Sequence, residues 1–165
     1  MQISNITFDE INVGDSTTYT RLITNQEVEA FAAISGDHNP LHLDPDYAAG
    51  TPFGECIAHG MLTGALISAA IAMQLPGPGS VYLSQSLQFK APFFLGDTLT
   101  VTLTVIDKHA KRPWITLQCQ VKNQDGKAVA KGEAHVAAPT TQETVTVIPP
   151  PALQLIEAAS LSEED

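Results

Sequence analysis

Apolar residues recur at helical spacing in the first half of the chain and at alternate positions in the second, with the change near Gly79. Val28, Phe31, Ala32 and Ile34 mark one helix. Thr24 lies before them with Glu27 three places on, a capping pair that starts the helix there, and Gly36 ends it. Residues 44–54, DPDYAAGTPFG, cluster Asp, Pro and Gly as turns do. The run HGMLTGALISAAIAMQL, residues 59–75, is apolar almost all round, which predicts a helix buried on most sides. Beyond LPGPG, residues 81–89, 98–106, 113–122 and 128–136 read as four consecutive antiparallel strands, separated by GD, a charged turn and NQDG. A further strand near 16–22 completes the sheet. A helix apolar on all sides needs cover from more than one direction, so the expectation is an α+β fold with a curved antiparallel sheet wrapped round a long helix. That unit spans residues 1–138, and the Pro- and Thr-rich, finally acidic stretch 139–165 reads as a tail or linker.

A length of 165 residues allows one domain with a real core. At 44% apolar and 16% charged residues the chain is globular, and its formal charge of −10 argues against general affinity for nucleic acid or membrane surfaces. An anionic ligand therefore needs a local basic patch, for which Lys108, Lys111 and Arg112 form the one cluster and Lys90 and Lys122 are single charges. The acidic N-terminus does not read as a signal peptide, and 61–75 is too short for a membrane span, so the cytoplasm is the expected compartment. Cys56 and Cys119 cannot build a disulfide framework, and both are expected as reduced, buried thiols.

The chemistry concentrates at residues 35–42, SGDHNPLH. Asp37 and His42 pair a carboxylate with an imidazole, the two side chains best suited to trade a proton near neutral pH. Asn39 adds a neutral donor and acceptor. Pro40 biases Asn39 toward extended backbone, so these side chains are expected on a shaped loop with no regular helix running through it.

The runs FAAISGDHNPLHLDPDYA, FGECIAHGMLTGALIS and LPGPGSVYLSQSLQFKAPFFLGDTLTVTLTV, in this order, resemble the MaoC-like, R-specific enoyl-CoA hydratases, the short single-domain type that feeds polyhydroxyalkanoate synthesis. The likeness covers roughly residues 10–137 and leaves the tail outside. It implies a hot-dog fold and a homodimer that adds water reversibly to a trans-2-enoyl-CoA, giving the (R)-3-hydroxyacyl-CoA, with no cofactor and no metal. It further implies Asp37 and His42 as the catalytic pair, Asn39 as a supporting polar residue, and Gly60 of the HGM segment as a backbone donor to the thioester carbonyl. Ser68 and Ile71, on one side of the long helix, are candidates for setting acyl length.

Four competing readings stand beside it. A hot-dog acyl-CoA thioesterase would activate water against the carbonyl carbon, and a non-catalytic acyl-thioester binding module would need no acid and base pair. His38 and His42 with Asp37, Asp44 and Asp46 could form a metal cluster, although Pro40 breaks the helix that would align the histidines. Cys56 with His59 could be a thiol nucleophile and its base, but nothing nearby marks the thiol as activated, and His59 reads as a structural hydrogen-bonding residue.

Overall fold

A computed structural model describes residues 1–150. The chain runs β1 (Gln2–Ser4), β2 (Ser16–Leu22), α1 (Asn25–Ser35), α2 (Pro40–Leu43), α3 (Pro45–Ala49), α4 (Leu62–Met73), β3 (Val81–Phe89), β4 (Thr98–Lys108), β5 (Trp114–Lys122), β6 (Ala128–Ala137) and β7 (Thr144–Thr146). Helix α1 starts where its cap predicts. The Thr24 N–H donates to the Glu27 carboxylate at 3.0 Å, the Thr24 hydroxyl bonds the same group, and Arg21 pairs with Glu27 at 2.9 Å. Partial burial pushes the Glu27 carboxyl up, but the Thr24 and Arg21 hydrogen bonds outweigh it and hold it below the usual range. Gly36, in the left-handed region at φ 77°, ends the helix and turns the chain into the motif.

The main sheet is antiparallel, in the order β2-β4-β5-β6-β3. Its inner face alternates as period two requires: Leu99, Val101, Leu103 and Val105 on β4 and Ile115, Leu117, Cys119 and Val121 on β5 are all at most 1% exposed. Against them α4 lays Leu62, Leu66, Ile67, Ala70 and Ile71, and these residues form one continuous core. A helix held in the curve of one antiparallel sheet is the hot-dog arrangement.

One expectation about this core needs correction. The four strands after Gly79 are not neighbours in chain order, because β3 lies at the far edge beside β6 and not beside β4. Short turns join β4 to β5 and β5 to β6, whereas residues 90–97 cross over with Phe93 buried in the core. Helix α4 is buried on most sides as expected but not all round, since Ala65, Ser68 and Ala72 are exposed along one flank. A single sheet does not close round a helix.

The stretch expected as a tail carries β7, which pairs with β1. Asn5 is buried and bonds that stretch four ways, donating to the carbonyls of Thr141 and Glu143 and accepting from the Glu143 N–H and the Gln142 side-chain amide. The rest of the expected tail, 151–165, lies outside the described residues. No helix among the described residues is long and apolar enough to cross a membrane.

Candidate active site

Three separate stretches converge on Asp37. Ser35, the last residue of α1, accepts the Asp37 N–H on its hydroxyl at 3.2 Å, and Asp37 Oδ1 accepts the Asn39 N–H at 3.3 Å. These local bonds orient the carboxylate and leave Oδ2 facing outward to the imidazoles. Contrary to the loop expected from Pro40, a one-turn helix begins at that residue. Proline is tolerated at the first helical position, where its missing N–H has no intrahelical partner to lose. Asn39 caps this turn, its side-chain oxygen accepting the Leu41 N–H at 3.0 Å, and the turn carries His42.

His42 Nδ1 lies 2.7 Å from the Ile57 carbonyl, a geometry that requires Nδ1 to donate. Its Nε2 is then an acceptor, 3.8 Å from Asp37 Oδ2. That separation is too long for a direct hydrogen bond, but one water can reach both atoms. The carboxylate side chain is 52% exposed and the imidazole 11%, so such a water is reached from solvent on the Asp37 side.

A cavity of about 590 Å³ opens on Asp37, lined by Phe31, Ser35, Asp37, His59, Gly60, Met61 and Phe89, whereas His42 lines a separate cavity of about 300 Å³ with Leu43, Cys56 and Leu95. Gly60 stands two residues before α4, and among the described residues its N–H meets no backbone acceptor. A mostly apolar cavity of about 390 Å³ shares Gly60 and Phe89 with the one on Asp37 and includes Lys90. Space is tight at this neck. A Cβ on Gly60 would meet the Phe89 ring at 3.2 Å. Gly60→Ala is therefore expected to lower kcat/KM for an enoyl thioester about tenfold or more by displacing the ring or the substrate. Steady-state kinetics on the purified variant checks this, with unchanged kcat/KM as the contrary result.

The remaining sequence candidates separate. Within one chain Ser68 is exposed on the open flank of α4 and Ile71 is 2% exposed in the core, and neither lines these cavities. The basic cluster also dissolves. Lys108 donates to the carbonyls of Phe8 and Ile11 at 2.6 and 2.5 Å, and Arg112 lies 4.4 Å over the Trp114 ring. Cys119 is buried as expected, and burial pushes its thiol up to about 11. Cys56 is only half-buried, and burial together with the charges of Asp44 and Glu55 pushes its thiol up, the reverse of an activated nucleophile.

His59 was legible only as a structural residue, yet it sits in the site, its ring centroid 3.8 Å from that of His42. Asp37, His42 and His59 offer ligand atoms within 4.8 Å of one another, by type a set that could hold a metal ion, whereas His38 stands exposed outside it. However, His59 Nε2 lies 3.0 Å from the Asp37 carbonyl and must carry a proton to bond it, so that nitrogen has no lone pair for an ion in this arrangement. The hydrogen-bonded set fits proton transfer better than metal ligation.

Known proteins resemble this chain in sequence and in fold. The chain is 42% identical over 134 residues to an (R)-specific enoyl-CoA hydratase of Rhodospirillum rubrum, covering 80% of this chain and 91% of the relative. It is 44% identical over 129 residues to an (R)-specific enoyl-CoA hydratase of Aeromonas caviae, covering 78% and 96%. Among solved structures, the R-hydratase PhaJ1 from Pseudomonas aeruginosa in its unliganded form superposes with a TM-score of 0.91 at 48% identity, over 94% of this chain and 99% of that one. The MaoC-like domain matches residues 10–129, from the turn before β2 to the first residues of β6. Because that stretch contains every residue that lines the three cavities, the chain belongs to the MaoC-like domain family.

Proposed function

We propose that the protein is an R-specific enoyl-CoA hydratase, which adds water reversibly to a trans-2-enoyl-CoA to give the (R)-3-hydroxyacyl-CoA. The observation that carries this reading is the facing of Asp37 Oδ2 and His42 Nε2 across a gap one water can bridge, beside a free glycine N–H. Hydration needs a base for water and a donor for the charge that builds on the thioester oxygen. The water hydroxyl bonds to the β-carbon, the π-electrons move toward the carbonyl, and the oxygen takes enolate charge against the Gly60 N–H. The proton removed from water by the pair is the one the α-carbon requires, and it can return on the same face of the substrate. The named activity of the relatives supports the same chemistry.

The cavity of about 390 Å³ suits the thioester's carrier arm. It is apolar except for Lys90, which can meet a phosphate at the far end of that arm. Lys90→Glu is expected to raise KM for crotonyl-CoA about fivefold at low salt, the scale of one exposed charge contact, and less in high salt. Crotonyl-pantetheine, which lacks the phosphates, is expected to show no such change. Equal effects on both substrates would remove Lys90 from phosphate recognition.

The open flank of α4 and the unpaired edge of β3 support a homodimer. Val81, Leu83 and Phe89 are 58%, 44% and 53% exposed on a strand that has β6 as its neighbour on one side only. An apolar strand edge of this kind is a template for pairing with a second copy.

The deciding experiment follows the ultraviolet absorbance of crotonyl-CoA with purified protein, with chiral analysis of the product. Loss of the enoyl band with R product supports the hydratase. Release of free coenzyme A assigns hydrolysis instead, and no change across short and medium enoyl-CoAs removes the assignment.

A further inference from the structure

We infer that His59 is the positioning residue that holds the Asp37 loop, the His42 ring and the Gly60 donor in one geometry; this rests on the hydratase reading. His59 is 2% exposed. Its Nε2–H donates to the main-chain carbonyl of Asp37 at 3.0 Å and stands 4.0 Å from Oδ2 of the same residue. The face of its ring lies against His42, centroids 3.8 Å apart and tilted by 30°, and Phe31 packs 5.0 Å away. Gly60 is its neighbour in the chain. One side chain thus touches two of the three working groups and is covalently next to the third.

The residue type carries the argument. His59 Nδ1 is the one buried side-chain nitrogen or oxygen among the described residues with no hydrogen-bond partner. Packing alone would favour phenylalanine, which fills the same space without an orphaned polar atom. Hydrogen bonding alone would favour an amide, which lacks the flat ring that faces His42. Histidine offers a stacking face and an N–H in the ring plane together, and the structure uses both.

Three variants separate these roles, measured for kcat and KM on crotonyl-CoA and for thermal melting. His59→Phe keeps the ring and loses the donor, His59→Gln keeps a donor at nearly the same reach and loses the ring, and His59→Ala loses both. For His59→Phe, kcat is expected to fall about a hundredfold, the scale of a misplaced reacting group, with KM within about threefold and melting unchanged or raised. His59→Gln is expected to recover at least about a tenfold part of the kcat lost in His59→Ala. Wild-type kcat in a folded His59→Phe overturns the inference, as does equal loss in His59→Gln and His59→Ala. Should His59→Phe fail to fold, the Gln and Ala pair decides by the same comparison. Misfolding of all three makes His59 a folding residue and also overturns it. Wild-type protein assayed in parallel separates the two levels: an inert wild type defeats the hydratase reading, whereas an active one with an unaffected His59→Phe defeats only this inference.

Discussion

Asp37→Asn is expected to lower kcat for crotonyl-CoA hydration by about 10²- to 10⁴-fold, the range for losing a positioned acid or base. The amide keeps the shape of the carboxylate and can still accept the Asn39 N–H through its oxygen, so the loop should hold its geometry. What it loses is the charge that faces His42 Nε2 across 3.8 Å and the capacity to take a proton from the water between them. His42→Ala removes the other half of the pair and is expected to fall in the same range. The Asp37 side chain is 52% exposed, so its replacement should leave thermal stability almost unchanged. Initial rates together with circular-dichroism melts check both points. Near-normal turnover by either folded variant would remove the pair from the reaction.

Gly132→Ala is expected to cost the fold about 3 kcal/mol, at the upper end for forcing atoms into a packed site. Gly132 lies inside β6, paired with Leu87 of β3 on one side and Cys119 of β5 on the other. A Cβ there would come 1.8 Å from the Ser86 carbonyl oxygen and 2.7 Å from its carbon, both main-chain atoms that cannot rotate away. The Ser86 hydroxyl also accepts the Glu133 N–H at 3.0 Å, which ties β3 to β6 at this spot. Relief requires the two strands to part. Because β3 ends in Phe89, which lines two of the cavities, and forms the proposed dimer edge, parting would damage site and assembly together. A fall in melting temperature of about 6–12 °C is expected, with loss of dimer mass by light scattering. A variant with wild-type melting and mass would show that β3 does not pack on β6 in this way.

The fold and site were legible unequally. Helix α1 with its Thr24 and Glu27 cap and Gly36 stop, strand β2 at 16–22, and the strand spans after Gly79 all followed from the chain. The three-residue strands β1 and β7 did not, being too short to show a period. The pairing of Asp37 with His42 could be read because four residues and a proline turn separate them.

Caps, turns and hydrophobic period depend on residues a few positions apart, so the sequence alone determined α1, β2, the four long strands after Gly79 and the nearness of Asp37 to His42. Only the tertiary structure decided that β3 lies beside β6, that His59 reaches Asp37 from 22 residues away, and that α4 keeps an open flank. It also decided that Lys108 is consumed by two N-terminal carbonyls while Lys90 lines a cavity beside Gly60. Hydropathy tells a side chain to leave water but does not name its neighbour. Neighbours are chosen by contacts between distant parts of the chain, where shape and hydrogen-bond direction select one packing.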